Sequence, residues 1–180
     1  MWRAASIPAL TLALTACSLP YVPGFTSPSP SAGVTLKDAT GKVVGSGVFV
    51  QESDGVRILL DVKGLPPGVK GVHIHDVGLC IAPSFESAGP HFNPTKVGHG
   101  LDNPKGPHAG DLPNLTVDDN GQGHLEFTST RIIIKPGPPN SVFDDNGSAL
   151  VVHENPDDLR TDPAGNSGPR IACGVITLGG

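Results

Sequence analysis

The stretch Val-His-Ile-His, residues 72–75, alternates apolar and polar side chains inside a predicted strand at residues 72–77. This period of two predicts that Val72 and Ile74 face one side of a sheet and that His73 and His75 face the other. Two imidazoles on one face of a strand are a frequent metal-binding arrangement; the alternative is a pair of exposed polar residues. The stretch therefore predicts a half-buried strand with a candidate metal site on its histidine face.

The rest of the chain favours strands and turns over helices. Its 180 residues include 24 glycines and 19 prolines, and in a helix interior each proline costs about 3 kcal/mol and each glycine about 1 kcal/mol. Turn pairs at residues 40–41, 54–55 and 120–121 predict hairpins. The expected class is a small all-β domain. We predict strands at residues 33–37, 43–51, 56–61, 72–77, 114–117, 123–130, 149–153 and 170–177, with residues 131–135 as a candidate extension of the sixth.

Composition and charge exclude several classes of protein. A charged fraction of 16% with 37% apolar residues does not describe a highly charged disordered chain. The net charge is −5 and no segment is rich in lysine and arginine. We therefore expect neither nucleic acid nor an anionic membrane surface as a partner.

The N-terminus has the pattern of a targeting segment. Residues 1–16 carry one basic residue and then an apolar run too short to span a bilayer, which is typical of a secretory signal peptide. The run ends in Leu-Thr-Ala-Cys at residues 14–17, which resembles the lipobox of bacterial lipoproteins; the alternative is a plain signal peptide with an accidental cysteine. We expect lipid at Cys17, a Pro/Ser-rich tether over residues 17–32, and a folded domain over residues 33–180. The expected location is extracytoplasmic, in the periplasm or cell envelope, with the protein anchored to a membrane.

Long connections are predicted at residues 78–113, 136–148 and 154–169, and the first is rich in histidine. It contains His91, His99 and His108, with Asp111 three positions further on. Three imidazoles and one carboxylate suit tetrahedral Zn²⁺, and a bound metal would order a loop of this length. The alternative is a solvated, histidine-rich loop. His153, at the end of an apolar strand, is a further candidate, and imidazole sites without thiolate suit Cu²⁺ and Zn²⁺.

Three cysteines leave one unpaired in a secreted protein. If Cys17 is lipidated, Cys80 and Cys173 remain as one potential disulfide in an oxidising compartment. The alternative is two buried, reduced thiols.

Five motifs resemble those of the copper/zinc superoxide dismutase family, in the family's order. They are GVHIH at residues 71–75, SAGPHFNP at 87–94, HAGDLPN at 108–114, LVVH at 150–153 and GNSGPRIACGVI at 165–176. The resemblance runs from about residue 33 to residue 176, and the position of Cys80 is similar to that in bacterial members. It implies an eight-stranded antiparallel Greek-key sandwich or barrel of immunoglobulin-like architecture.

The resemblance also implies roles for individual residues. The implied copper ligands are His73, His75, His91 and His153. The implied zinc ligands are His91, His99, His108 and Asp111, so that His91 is shared by both metals and takes part in catalysis. Asp157 matches the aspartate that links a ligand of each metal, Cys80 and Cys173 match the family disulfide, and Arg170 matches the catalytic arginine beside the open copper face.

The implied activity is dismutation of superoxide to O₂ and H₂O₂ by alternate reduction and oxidation of the copper, next to a structural zinc. A non-catalytic copper/zinc-binding lipoprotein on the same fold, acting as a metal buffer, is the alternative. The oligomeric state, monomer or homodimer, stays open. One departure is that the loop at residues 154–169 is short and acidic, which places substrate steering in doubt. His124 matches no motif and is expected on the surface.

Overall fold

The computed structural model describes residues 29–179. The predicted signal peptide, Cys17 and most of the predicted tether lie outside the described residues. The described part of the chain is all-β, as predicted, and none of its helices is long and apolar enough to cross a membrane. Besides a 3-10 helix at Glu86–Ala88, it contains β1 Ser31–Asp38, β2 Val43–Gln51, β3 Val56–Lys63, β4 Gly68–Lys70, β5 Val72–His75, β6 Leu115–Val117, β7 Gln122–Ser129, β8 Ala149–His153, β9 Arg170–Val175 and β10 Thr177–Leu178.

The strands form one antiparallel sheet that closes into a barrel. Their spatial order is β4-β6-β7-β3-β2-β1-β9-β8-β5, and β10 pairs with β1. The two ends of this order, β4 and β5, are separated along the chain by Gly71 alone. One segment therefore pairs with β6 through its first half and with β8 through its second half. Because β4 and β5 are parts of one segment, the two ends of the sheet meet and the sheet curves into a barrel.

The number of strands differs from the prediction for two reasons, and several strand ends differ by one to two residues. The predicted last strand divides into β9 and β10 because Ile176 leaves the ladder: its N–H donates to Ser148 O at 3.0 Å and its side chain is buried. The short strand β4, Gly68–Lys70, follows a Pro-Pro pair and carries too few residues to show a period of two. The described residues therefore form ten strands where the sequence predicts eight.

The predicted extension of the sixth strand over residues 131–135 is wrong. The segment turns back on itself, because Ile133 N donates to Asn140 O at 3.0 Å and Asn140 Nδ2 donates to Arg131 O at 3.1 Å. The apolar pattern that suggested a strand has another cause, since Ile132 and Ile134 are buried in the barrel core.

The core fills the barrel through alternate residues of each strand. On β3, Val56, Ile58 and Leu60 are fully buried while the residues between them are more exposed. Val72 and Ile74 of β5 join the same core, as the period of two predicts. This packing directs the side chains of His73 and His75 to the outer face of the barrel.

Candidate metal centre

Strands β5 and β8 bring three histidines together on that outer face. Antiparallel pairing places His73 opposite Val151 and His75 opposite Ala149. At the end of β8, His153 N donates to the carbonyl oxygen of residue 71 at 2.9 Å. Because directly paired residues point to the same face of a sheet, His73, His75 and His153 form one group.

The segment between β5 and β6 runs back along the free edge of β5. Phe92 N donates to Ile74 O at 2.9 Å, and Ile74 N donates to Gly110 O at 2.8 Å. A glycine is needed at position 110, because a Cβ there would overlap the carbonyl of Ile74. The long loop is therefore fixed to the barrel by backbone hydrogen bonds.

This arrangement places His91 beside His75 and Asp111 beside His73, as isolated bridges. The loop also covers the histidine face, so that His73 and His75 are both 0% exposed. The sequence predicts a half-buried strand, whereas β5 is buried on both faces. The difference arises because the loop residues that cover this face, at His91 and Asp111, are distant from β5 in the sequence.

The first ligand set consists of histidines alone. Its members each offer a nitrogen within 4.8 Å of the others, and they are His73, His75, His91 and His153. His75 Nε2 and His153 Nε2 lie 3.3 Å apart. His73 Nδ1 and His91 Nε2 are buried without a hydrogen-bond partner among residues 29–179. A buried nitrogen without a partner is costly, so these inward-facing atoms fit a metal ion.

Backbone carbonyls fix the orientation of two of these rings. His75 Nδ1 lies 2.8 Å from Gly89 O, and His153 Nδ1 lies 3.1 Å from Gly168 O. A carbonyl accepts only, so in each neutral ring the proton sits on Nδ1 and the lone pair on Nε2. Both Nε2 lone pairs therefore face the space shared by the four histidines.

The second ligand set converges on one carboxylate oxygen. Asp111 Oδ1 lies 3.1 Å from His91 Nδ1, 3.0 Å from His99 Nδ1 and 3.4 Å from His108 Nδ1. The other oxygen, Oδ2, accepts hydrogen bonds from Gly100 N at 2.8 Å and His108 N at 2.9 Å. Three imidazole nitrogens and one carboxylate oxygen are the donor set of a tetrahedral zinc site.

His73 also has a ligand atom within 4.8 Å of those of His91, His99 and Asp111. We nevertheless assign His108 to this second set. Its Nδ1 is buried, has no hydrogen-bond partner among the described residues, and faces Asp111 Oδ1. The Nε2 atom of His73 is already bonded to Asp157, so its Nδ1 serves the first set.

The carboxylate of Asp157 joins the two sets from behind. Its Oδ2 lies 2.8 Å from His73 Nε2 and its Oδ1 lies 3.0 Å from His99 Nε2. Its backbone is held by Asn114, which exchanges two hydrogen bonds of 2.8 Å with it. A Cβ at Gly165 would overlap this carboxylate, so a glycine is required there. Such a carboxylate fixes the tautomer and the ring direction of a metal ligand.

Burial keeps the histidines of the first set neutral. It lowers the pKa of His73 to about 3 and that of His153 to about 4, although hydrogen bonds act in the opposite direction. Burial likewise lowers the pKa of His75 and of His91. Neutral imidazole is the form that binds a metal, so this set is ready for a cation at neutral pH.

The second set has the opposite electrostatics. Burial opposes the charged form of His99, but hydrogen bonds to Asp111 and Asp157 outweigh it and raise the pKa of His99 to about 9. The same imidazole bonds hold the pKa of the Asp111 carboxyl well below its usual range despite burial. In the metal-free protein, a proton on His99 therefore supplies the positive charge that the two carboxylates demand.

Arg170 lies beside the first set and is hydrogen-bonded to the same turn that orients the ring of His75. Its Nη1 donates to Phe85 O and its Nη2 donates to Gly89 O, both at 2.7 Å. Gly89 O is also the acceptor for His75 Nδ1. One carbonyl thus fixes both a ligand ring and the guanidinium, which lines an open pocket of about 640 Å³.

A disulfide joins Cys80 to Cys173, with the two Cα atoms 5.6 Å apart. It attaches the start of the long loop to β9. Cys173 packs with Phe85, Ala88 and Val151 in a small second cluster on the outer face of β8. The bond therefore supports the same turn whose carbonyls hold Arg170, and its geometry supports the predicted disulfide over two reduced thiols.

The fold and the site together define a class: a closed antiparallel barrel with two adjacent metal-ligand sets that share one histidine. The all-imidazole set fits copper and the imidazole–carboxylate set fits zinc. Comparison with known families gives the same result, since the model of "Copper/zinc superoxide dismutase (SODC)" matches residues 43–176. The chain belongs to the copper/zinc superoxide dismutase family.

Individual relatives agree with this assignment. The chain is 47% identical over 146 residues to superoxide dismutase (Cu-Zn) 2 of Aquifex aeolicus, covering 81% of this chain and 85% of that protein. It is 43% identical over 146 residues to the superoxide dismutase-like protein YojM of Bacillus subtilis, covering 79% and 74%. The crystal structure of a SOD-like protein from Bacillus subtilis matches with a TM-score of 0.76 at 41% identity, covering 79% of this chain and 96% of that one.

The structure brings together every predicted site residue that lies within the described part of the chain. His124 lies apart, on the outer face of the barrel, where its Nδ1 is 2.7 Å from Asp61 Oδ1. Sequence reasoning does not identify Gly89, whose carbonyl orients two site residues, because a backbone acceptor has no side-chain signal. It also misses Arg131, whose Nη2 donates to Asp111 O at 3.2 Å.

Proposed function

We propose that this protein dismutes superoxide to O₂ and H₂O₂ at the copper site formed by His73, His75, His91 and His153. The observation that carries the proposal is His91, whose two nitrogens face different ligand sets. Its Nδ1 lies with Asp111 and its Nε2 is buried in the first set without a partner among residues 29–179. A metal buffer would not need its two sites to share a ring.

When bound, copper supplies one-electron reduction and oxidation, and zinc supplies a fixed positive charge beside it. His91 Nε2 is the position at which this chain can hold and release a proton between the two half-reactions. The orientation of the ring does not depend on that proton, because its other nitrogen, Nδ1, belongs to the ligand set around Asp111 and would be held there when zinc is bound. Asp157 keeps the neighbouring ring of His73 in place.

Arg170 binds the substrate anion in this proposal. Its guanidinium is held rigidly by two carbonyls, is partly exposed, and lines the pocket next to the histidines of the first set. The chain as a whole carries a net charge of −5, so superoxide needs a local positive group to approach. A guanidinium also remains charged throughout the neutral pH range.

The proposal is tested by metal analysis together with a dismutation assay on the purified protein. We expect one copper and one zinc per chain and full activity, with His153→Ala losing copper and activity. Arg170→Ala should keep both metals and lose at least tenfold in rate. His124→Ala is the matched control, and we expect it to change neither quantity. A fully metallated wild-type protein without activity would contradict the proposal.

The second candidate, a non-catalytic metal buffer, gains weight because one relative is called superoxide dismutase-like. Identity alone does not distinguish the two functions. Arg170 does, because an arginine in the pocket beside the first set serves an incoming anion and does not serve metal storage. A buffer should therefore be indifferent to Arg170→Ala, whereas an enzyme should not.

We also propose that the protein is a lipoprotein held at an extracytoplasmic membrane through Cys17. The support is the Leu-Thr-Ala-Cys sequence at residues 14–17 and the Pro/Ser-rich segment that follows it. Labelled fatty acid should be incorporated into the wild type and not into Cys17→Ser, and the variant should leave the membrane fraction. Sedimentation analysis of the purified protein distinguishes a monomer from a homodimer.

A further inference from the structure

The pocket that contains Arg170 adjoins the first ligand set, because Arg170 is paired with His153 between β9 and β8 and shares the acceptor Gly89 O with His75. It has a volume of about 640 Å³ and is lined by Pro83, Ser84, Glu86, Gly168, Pro169 and Arg170. Gly168 O is the acceptor for the ring of His153, so the pocket wall directly supports one ligand.

A tight turn wraps around the guanidinium at this entrance. Phe85, at φ 55°, begins the turn, the 3-10 helix Glu86–Ala88 follows, and Gly89 ends it. The carbonyls of Phe85 and Gly89 each accept a 2.7 Å hydrogen bond from Arg170. The turn therefore fixes Arg170 through its backbone, independently of any side chain at position 86.

The Glu86 side chain is exposed and lies on this turn, next in sequence to Phe85. It lines the same pocket as Arg170, and these two are the charged residues of that wall. Its negative charge acts on Arg170, opposing the lowering of the arginine pKa by burial. The nearest charge to the substrate-binding guanidinium on this wall is thus of the same sign as the substrate.

We propose that Glu86 limits the entry of anions to the copper site by offsetting the field of Arg170. The inference rests on the dismutase function proposed above, since it concerns the approach of superoxide. The carboxylate of Glu86 on the turn thus adds to the acidic residues of the loop at residues 154–169. Because like charges in such a pocket repel over about a Debye length, the effect must weaken with added salt.

The test compares Glu86→Gln with Glu52→Gln, which changes the net charge equally. Glu52 lies on the turn between β2 and β3, beside Arg57, in a hairpin that carries no predicted site residue. At low ionic strength Glu86→Gln should raise kcat/KM about two- to threefold, and the gain should disappear near 0.3 M salt. Glu86→Lys should raise it further, and Glu52→Gln should leave it near the wild-type value.

A second measurement does not depend on turnover. Azide is a small, non-reducing anion, and its dissociation constant can be titrated by absorption of the copper-loaded protein. Glu86→Gln should tighten azide binding by the same two- to threefold at low salt, with copper and zinc contents unchanged. Equal effects of Glu86→Gln and Glu52→Gln, or a rate that falls in Glu86→Gln, would overturn the inference. If the wild type binds both metals and is inactive, the dismutase proposal fails, while the azide series still decides the role of Glu86.

Discussion

The two ligand sets are built by different parts of the molecule. Three of the four histidines of the copper set, His73, His75 and His153, sit on β5 and β8, where the hydrogen-bonded ladder of the barrel fixes them. The zinc ligands all lie on the long segment between β5 and β6, whose regular structure is one short 3-10 helix. The barrel ladder positions three copper ligands directly. The bridges to β5 position His91 and Asp111, and His99 and His108 are positioned by their convergence on Asp111.

The electrostatics follow the same division. Burial lowers the pKa of the copper-set histidines, which keeps them neutral at neutral pH. The zinc set carries carboxylate charge that His99 offsets in the metal-free protein. The difference indicates that the copper set is preorganised by the fold and that the zinc set is assembled by its own interactions.

The largest effect is expected for Asp111→Asn, which removes the charge on which the zinc set converges. Three imidazoles and two backbone donors lose their shared acceptor charge in a buried position. Removing one partner of a buried charged network costs about 3–5 kcal/mol. We expect zinc affinity to fall by more than 100-fold and the free energy of unfolding of the metal-free protein to fall by about 3 kcal/mol.

Chelator competition measures the zinc affinity, and urea unfolding measures the stability. Asp61→Asn is the matched control, since that carboxylate pairs with exposed His124 on the outer face of the barrel, where a change of about 0.5 kcal/mol or less is expected. The division into two halves predicts that copper affinity in Asp111→Asn changes much less than zinc affinity. Equal losses of both metals would contradict it.

The next effect is the opposite response of the two halves to pH in the metal-free protein. His73 and His153 have folded pKa values below the usual 6.5, so the stability they contribute is complete above pH 6.5 and is lost as the pH falls toward 4. His99 has a folded pKa of about 9, so its contribution is present below pH 6.5 and is lost as the pH rises through 9. The copper half therefore weakens in acid and the zinc half in alkali.

Between pH 7.5 and pH 5, each of the two copper-set histidines should cost about 2 kcal/mol of stability, by the linkage between pKa and folding. Urea unfolding at a series of pH values gives the profile. With both metals bound, the ligands stay deprotonated and the acid limb should shift to lower pH. A metal-free profile that is flat from pH 5 to pH 10 would show that the two sets do not differ in this way.

A smaller effect is expected for Asp157→Asn, which weakens the connection between the halves. Its two oxygens bond one ring of each set, His73 and His99, and loss of such a support typically costs 10- to 100-fold in metal affinity. We expect both metals to bind more weakly, in contrast to Asp111→Asn. The neighbouring Asp158→Asn is the control, because that carboxylate is bonded within its own loop, to Thr161 N and Asn166 Nδ2. A loss of zinc alone in Asp157→Asn would show that the carboxylate belongs to one half.

The sequence predicts these halves to different degrees. The alternation at residues 72–75 is local, so the strand and the shared face of His73 and His75 follow from the period of two. The complete burial of that face does not follow from the period of two. The loop that covers it is held by hydrogen bonds that Phe92 N donates to Ile74 O and that Ile74 N donates to Gly110 O. Pairing between distant segments leaves no periodic signal in either of them.

The loop residues show why the remaining features escape prediction. The spacing of His91, His99, His108 and Asp111 identifies a candidate zinc set by residue type alone. The support that Gly89 gives to His75 and Arg170 comes from a backbone oxygen and depends on a turn with Phe85 at positive φ. The division of the last strand likewise depends on one tertiary hydrogen bond. The sequence identifies which side chains can bind a metal, but the backbone acceptors that orient those side chains are placed only by the fold.

The smallest expected effect concerns Arg131, which supports the zinc half from outside. Its Nη2 donates to Asp111 O at 3.2 Å and its guanidinium carbon lies 6.0 Å from the centre of the Phe127 ring. Because the bond holds the backbone of Asp111 and not its carboxylate, Arg131→Gln should leave the ligands intact while loosening their attachment to the barrel. We expect a loss of about 1 kcal/mol in stability and zinc release a few-fold faster.

Arg131→Lys keeps a charge and a donor and should restore part of the slow zinc release, which a purely volumetric role would not explain. Arg57→Gln is the control, since that arginine forms an exposed ion pair with Glu126 on the barrel, worth about 0.5 kcal/mol. Stopped-flow chelation gives the release rates of both metals from the same samples. If the barrel alone positions the copper set, copper release stays unchanged in Arg131→Gln; a parallel acceleration of copper release would mean that the loop positions both sets.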